Sequence, residues 1–260
     1  MGMVYLGDEI FYNKEHQLYI RKSMIEDYYF CPYKFYKSWI NKDSNVRSNY
    51  QSILDMGTRF HEFAYTFFDY MDAERFDRWN ELIPYDHFNS QEIDRCEWFI
   101  EQEQLRFIEM PEELYRPVAR EIRLIDEELL LTSVCDRIDW VTDKTTQIVE
   151  YKTSKKFDDK SLVRQMSFYA YIWNKGYGYP VVSLKVINPR LKEIRIYEYE
   201  EDYAFNTLED IYEIRTAIGY DDYPRKCNPI KHIICGVCSP YECGCYDSEN
   251  VGFLEHRESE

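Results

Sequence analysis

Apolar residues recur at helical spacing over residues 53–80 and 90–109 and predict two long amphipathic helices. Residues 22–41 predict an earlier helix, opening near Ser23 with Glu26 and Asp27 close behind in a capping arrangement. Pro111 and Pro117 interrupt the helical pattern after residue 109. Val, Ile, Leu and Thr then dominate residues 118–125, 128–142 and 146–152, which predict strands, with Asp143-Lys144 as the last turn. Residues 159–175 return to a helix that ends at Gly176. A second strand pair is expected at 181–187 and 193–199, and a final helix at 203–218, stopped by Gly219. Residues 3–21 predict a short strand pair around Asn13-Lys14, and residues 224–247, rich in Pro and Cys, predict irregular structure. No repeat or Gly/Ser linker divides the chain. The expectation is a single α/β domain over 1–260: a small mixed sheet flanked by helices, a helical N-terminal part at 22–110, a core at 118–200 and a Cys-rich segment at 224–247.

Composition narrows this picture. A hydrophobic content of 45% is enough for a sizeable core, and the 25 tyrosines should lie at its edge, ring buried and hydroxyl wet. The net charge of −16 argues against a protein that coats nucleic acid indiscriminately, since such proteins gain affinity by neutralising phosphates. It is compatible with an acidic metal-binding centre beside a small basic channel. The acidic run Asp126-Glu127-Glu128 reads as surface. No run of about 18 apolar residues predicts a membrane span, and the N-terminal segment is polar, so a cytoplasmic protein is expected. In a reducing compartment eight cysteines point to a metal, a cluster or core thiols.

The stretch LTSVCDRIDWVTDKTTQIVEYKTSKK, residues 131–156, concentrates the candidate chemistry. Asp136 sits near the end of one predicted strand, and Glu150-Tyr151-Lys152 lies on its neighbour. Side chains alternate along a strand, so Glu150 and Lys152 share a face, and a hairpin can bring Asp136 beside Glu150. Two carboxylates that close repel unless a cation lies between them. A hard divalent ion such as Mg²⁺ is the natural occupant, and Lys152 could then polarise an attacking water or neutralise charge building on a phosphate. Asp139, three residues past Asp136, would face the other way, which favours Asp136. Gly57 and His61 form GxxxH upstream, and Gln165 and Tyr169 lie four apart on one helical face downstream. Lys155, Lys156, Lys160 and Arg164 form a basic run able to track phosphates.

The order GxxxH, D, ExK, QxxxY resembles the RecB-type branch of the PD-(D/E)xK nucleases, which includes helicase–nuclease subunits and CRISPR-associated exonucleases. The resemblance runs from about residue 20 to residue 247. It implies a restriction-endonuclease-like core and a metal-dependent DNA nuclease, an exonuclease, that hydrolyses phosphodiester bonds by metal-activated water. His61, Asp136, Glu150 and the Tyr151 carbonyl would hold Mg²⁺ or Mn²⁺, Lys152 would be the catalytic lysine, and Gln165 and Tyr169 would position the DNA end. Lys155, Lys156 and Arg164 would contact DNA. The family often has Gly three residues before the first catalytic Asp, where this chain has Ser133.

The tail carries Cys235 and Cys238 as CxxC, Cys243 and Cys245 as CxC, and Cys227 upstream; Cys31 lies far ahead, just before Pro32. This resembles the RecB-type nucleases with an iron–sulfur cluster, and the resemblance implies a [4Fe–4S] cluster on Cys31, Cys235, Cys238 and either Cys245 or Cys243, with the 224–247 segment packing back on Cys31. The alternative is a local Cys₄ zinc site in the tail. Cys96 and Cys135 read as core thiols. The expected substrate is single- or double-stranded DNA ends, with a recombination or integration protein as a candidate partner in a phage or CRISPR setting. A second expectation is kept beside the enzyme: a catalytically silent nuclease-fold adaptor organised by its Cys-bound metal, which the acidic charge favours.

Overall fold

The computed structural model describes residues 17–41, 51–156 and 158–224. The chain forms two compact units, one of residues 1–22 with 52–209, the other of 23–51 with 210–260. In the first unit a five-stranded sheet runs β1 (Ala119–Asp126), β2 (Leu131–Thr142), β3 (Thr145–Tyr151), β4 (Val181–Asn188) and β5 (Glu193–Glu198), in that spatial order. β1, β2 and β3 are antiparallel neighbours, β3 and β4 are parallel, and β5 returns antiparallel to β4. The mixed sheet flanked by helices expected from the sequence is therefore present. The β2–β3 turn falls at Asp143-Lys144, where the Thr142 hydroxyl accepts from the Lys144 N–H at 3.2 Å.

A parallel β3–β4 pair needs a crossover, and α6 (Asp159–Gly176) supplies it. Asp158 caps α6, accepting the Ser161 N–H at 3.5 Å. On the other face of the sheet lie α3 (Gln51–Tyr70) and α4 (Ser90–Glu109), and the single turn α5 (Glu112–Tyr115) comes after α4. α4 opens on a capping box: Asn89 accepts from the N–H of Gln91 and Glu92, while Glu92 accepts from the Asn89 N–H at 3.0 Å. Arg59 of α3 donates to the same Glu92 at 2.8 Å and ties the two helices together. Between them Phe60, Phe63, Phe67, Phe99, Trp79 and Tyr151 pack largely edge to face, the arrangement ring quadrupoles prefer.

Several boundaries differ from those expected. α3 stops at Tyr70, because Asp72 accepts the Glu74 N–H at 3.0 Å and starts a 3₁₀ run, Ala73–Leu82. β2 starts at Leu131, because Asp126 accepts the N–H groups of Glu128 and Leu129 and folds the preceding residues into a turn. Asp126 is thus no surface acid: it is buried, and Lys175 pairs with it at 2.9 Å. Nor are all the tyrosine hydroxyls wet. Those of Tyr151 and Tyr169 accept from Arg137 and Gln165, each at 2.9 Å.

In the second unit the helix expected over 22–41 is three pieces: α1 (Lys22–Phe30), α2 (Pro32–Phe35) and a π-turn at Tyr36–Ile40. Ser23 lies inside α1 and does not cap it. The break falls at Cys31, extended at φ −164° and ψ 113°, because the residue before a proline avoids helical geometry. The Cys31 thiol is buried. Trp39 donates to Asp27 at 2.8 Å, Tyr29 donates to Glu213 at 2.9 Å, and Tyr36 stacks on Tyr223 with centroids 4.8 Å apart. Of the strand pair expected over 3–21, residues 3–16 lie outside the described residues, and Ile20 of the first unit makes an isolated parallel bridge to Leu131; the cysteines Cys227, Cys235, Cys238, Cys243 and Cys245 also lie outside the described residues. α7 (Glu201–Tyr220) runs past Gly219 by one residue.

Candidate active site

β2, β3 and α6 bring the singled-out side chains together. Asp136 of β2 accepts the Tyr151 N–H through Oδ2 at 2.8 Å, which clamps the carboxylate against β3. Its other oxygen, Oδ1, lies 3.5 Å from Nδ1 of His61, projected from α3. Lys152, the residue after β3, donates from Nζ to Glu150 Oε1 at 2.6 Å and to Gln165 Oε1 at 3.0 Å. Gln165 in turn donates to Glu150 Oε1 and to the Tyr169 hydroxyl. The four-residue spacing of Gln165 and Tyr169 on α6 makes this chain possible, since both point at the sheet. The ammonium of Lys152 is therefore held at a fixed point by two acceptors.

One member was not visible in the sequence. Glu121 of β1 brings Oε1 to 3.9 Å from His61 Nδ1. A ligand atom from each of His61, Glu121 and Asp136 lies within 4.8 Å of the others. β1 and β2 pair with Arg120 opposite Arg137 and Ile122 opposite Cys135, which leaves Glu121 facing Asp136. Glu121 has φ 44°, left-handed backbone that costs a non-glycine residue about 1–2 kcal/mol. Strain of this kind persists where surrounding structure enforces it.

The electrostatics are those of concentrated negative charge. Burial and the neighbouring Asp136 both push the Glu150 carboxyl up, against the pull of Lys152 and Lys22. Glu150 Oε2 is buried and has no hydrogen-bond partner among the described residues. Burial would lower His61, but Asp136 above all, with Glu121 and Glu150, raises it to about 10. A site that drives an imidazole to hold its proton and leaves a carboxylate oxygen orphaned is one that wants positive charge. The donor set, carboxylate oxygens with one imidazole nitrogen, fits a divalent cation.

Asp139 is elsewhere. It is buried on the opposite face, where Arg137 donates to it at 2.8 Å. Arg137 also donates to Glu103 at 2.8 Å, and Arg106 donates to Glu103 at 3.0 Å. Burial would raise Glu103, but Arg137 and Arg106 outweigh it and hold the carboxyl at about 2. Cys96 and Cys135 are buried thiols, and burial raises both. Lys155, Lys156, Lys160 and Arg164 are exposed and outside this constellation. Asn188 donates to the Ser154 carbonyl at 2.9 Å and Arg190 to that of Thr153 at 3.4 Å, so the segment joining Lys152 to Lys155 is pinned to the end of β4.

The family model of the PD-(D/E)XK nuclease superfamily matches residues 22–245. No curated protein matches the chain. Among solved structures, that of a candidate exonuclease from Eubacterium rectale is similar, at 12% identity and a TM-score of 0.48, over 89% of this chain and 94% of that one.

Proposed function

The chain belongs to the PD-(D/E)XK nuclease superfamily, and we propose that it is a Mg²⁺- or Mn²⁺-dependent deoxyribonuclease, an exonuclease of the RecB-type branch, acting on DNA ends in the cytoplasm. The observation that carries this reading is the convergence of His61, Glu121 and Asp136 within 4.8 Å, next to the fixed Glu150–Lys152–Gln165 chain. In it His61, Glu121, Asp136 and Glu150 hold the cation, with the Tyr151 carbonyl as a further ligand. The cation supplies Lewis acidity toward a phosphoryl oxygen and lowers the pKa of water bound to it. Lys152, fixed by Glu150 and Gln165, presents its ammonium where negative charge develops on the phosphate, so little reorganisation accompanies the reaction. Gln165 and Tyr169 hold that lysine and the DNA end in register. Lys155, Lys156 and Arg164 carry the departing strand past an otherwise acidic surface.

Cys31 belongs, in this reading, to a [4Fe–4S] cluster with Cys235, Cys238 and Cys245 or Cys243; its support is a buried thiol at a proline-broken helix and the CxxC spacing of the tail. The cluster would tie together the two chain segments of its own unit. A zinc site is the competing occupant.

The test uses protein purified without oxygen. End-labelled single- and double-stranded DNA is incubated with Mg²⁺ or Mn²⁺, comparing the parent with Asp136→Ala, after visible absorbance and iron and zinc contents are recorded. Cation-dependent loss of label that the variant lacks supports the nuclease, and its pattern gives the polarity. An intact, cation-loaded parent that cuts neither substrate moves the chain to the adaptor reading, which the net charge of −16 favours.

A further inference from the structure

The sheet has a second feature that the nuclease reading leaves unused. On the face away from Asp136, at the edge of the aromatic core against which Ile194 packs, a cleft of about 470 Å³ opens between the last turns of α4 and the strands β2 to β5. Leu105, Arg106, Asp139, Val141, Lys185 and Ile194 line it. The volume lies within the roughly 300–1,000 Å³ of small-molecule sites. Its rim is mixed: Leu105, 53% exposed, and Val141, 43%, stand beside Gln102, Gln147 and Glu109.

The floor carries unbalanced charge. Arg106, Arg137 and Lys185 stand against two buried carboxylates, Glu103 and Asp139. Arg137 and Arg106 share those carboxylates at 2.8–3.5 Å, but Lys185 makes no hydrogen bond or ion pair among the described residues. One positive charge is left over. The exposed Glu109 at the mouth is screened by solvent and does not cancel it. Burial, and next to it Arg137, lowers Lys185 below its ordinary range, against the pull of Glu103 and Asp139, neither of which it pairs with directly. A half-buried cation with no partner costs stability unless an anion reaches it.

We propose that this cleft binds a small amphiphilic monoanion, a carboxylate on an apolar or aromatic body. Lys185, with Arg106 beside it, takes the carboxylate, and Leu105, Val141 and Ile194 take the hydrocarbon. The inference is independent of the nuclease reading.

The test is calorimetric titration and thermal melting of the full-length protein with acetate, phenylacetate and indole-3-acetate, with benzyl alcohol as the uncharged control. Phenylacetate or indole-3-acetate should bind saturably and raise the melting temperature. Lys185→Met should weaken that binding about tenfold or more, the size of one charge-assisted contact. Lys185→Met alone should melt no lower than the parent, because it removes an unpaired charge and keeps the stem. Failure of both aryl carboxylates to bind, equal binding by Lys185→Met, equal binding of acetate or benzyl alcohol, or marked destabilisation by Lys185→Met would each overturn the proposal.

Discussion

Asp136 and Asp139 are three residues apart on one strand, and the structure predicts opposite outcomes for the same substitution. Asp139→Asn removes one of the two carboxylates that pair with Arg106 and Arg137. Breaking a buried pair in this way costs about 3–5 kcal/mol. The introduced amide oxygen can still accept from Arg137, and Glu103 remains, so the lower end, about 3 kcal/mol, is expected. Asp136→Asn loses the pairing with His61 but relieves Glu150 of a charge that pushes it up, two effects of opposite sign, and the new side chain can still accept the Tyr151 N–H. Its stability should stay within about 1 kcal/mol of the parent. Activity should divide the other way. Losing a carboxylate that, in the proposed nuclease, holds the cation is worth several kcal/mol of transition-state stabilisation, hence roughly 100-fold or more in rate. Asp139→Asn, assayed where it is folded, should cut within a few-fold of the parent. Urea unfolding followed by tryptophan fluorescence, and loss of end-label with Mn²⁺, read the two quantities on the same samples. A folded Asp139→Asn protein as inactive as Asp136→Asn, or an Asp136→Asn protein that is the less stable of the two, would refute the assignment of faces.

Glu121→Gly should relieve the left-handed strain and leave the cation-free protein at least as stable, while Mn²⁺ affinity measured by calorimetry falls about tenfold or more; unchanged affinity would remove Glu121 from the site. Glu103 has its carboxyl lowered from 4.5 to about 2, so its pairing contributes stability above pH 4.5 that is lost as pH falls through 2. That contribution is roughly 3 kcal/mol, and the parent's advantage over Glu103→Gln in urea should shrink across this window; a pH-independent difference would show that Glu103 does not titrate there. Gly57→Ala would put a Cβ 3.4 Å from Thr153 Oγ1, ordinary contact, so its helix should gain about 0.5–1 kcal/mol in unfolding experiments with activity retained, and a destabilised variant would mean that α3 and the segment after Lys152 have no room to spare.

How much of this site is legible in the sequence depends on how local the cause is. Alternation places Glu150 and Lys152 on one face, helical spacing pairs Gln165 with Tyr169, and odd spacing separates Asp136 from Asp139; each needs only a few neighbouring residues. The proline break at Cys31 is also local, yet a run of helix-forming residues on either side masks it. Glu121 needs more. Its place beside Asp136 depends on the β1–β2 register, which the Asp126 turn sets, and its positive φ leaves no mark on residue type. The Glu103–Arg137 pairing joins residues from α4 and β2 and is decided by packing, so no window of sequence contains both.

Tyr151 links the two faces of the sheet within a single residue. Its main-chain N–H fixes Asp136 on one side, and its phenol oxygen accepts a hydrogen bond from Arg137 on the other. A residue so placed has little latitude under selection. A change of side chain that suits the buried ion cluster still has to keep the strand backbone at the height that suits Asp136. Laboratory evolution toward higher stability should therefore change position 151 only rarely.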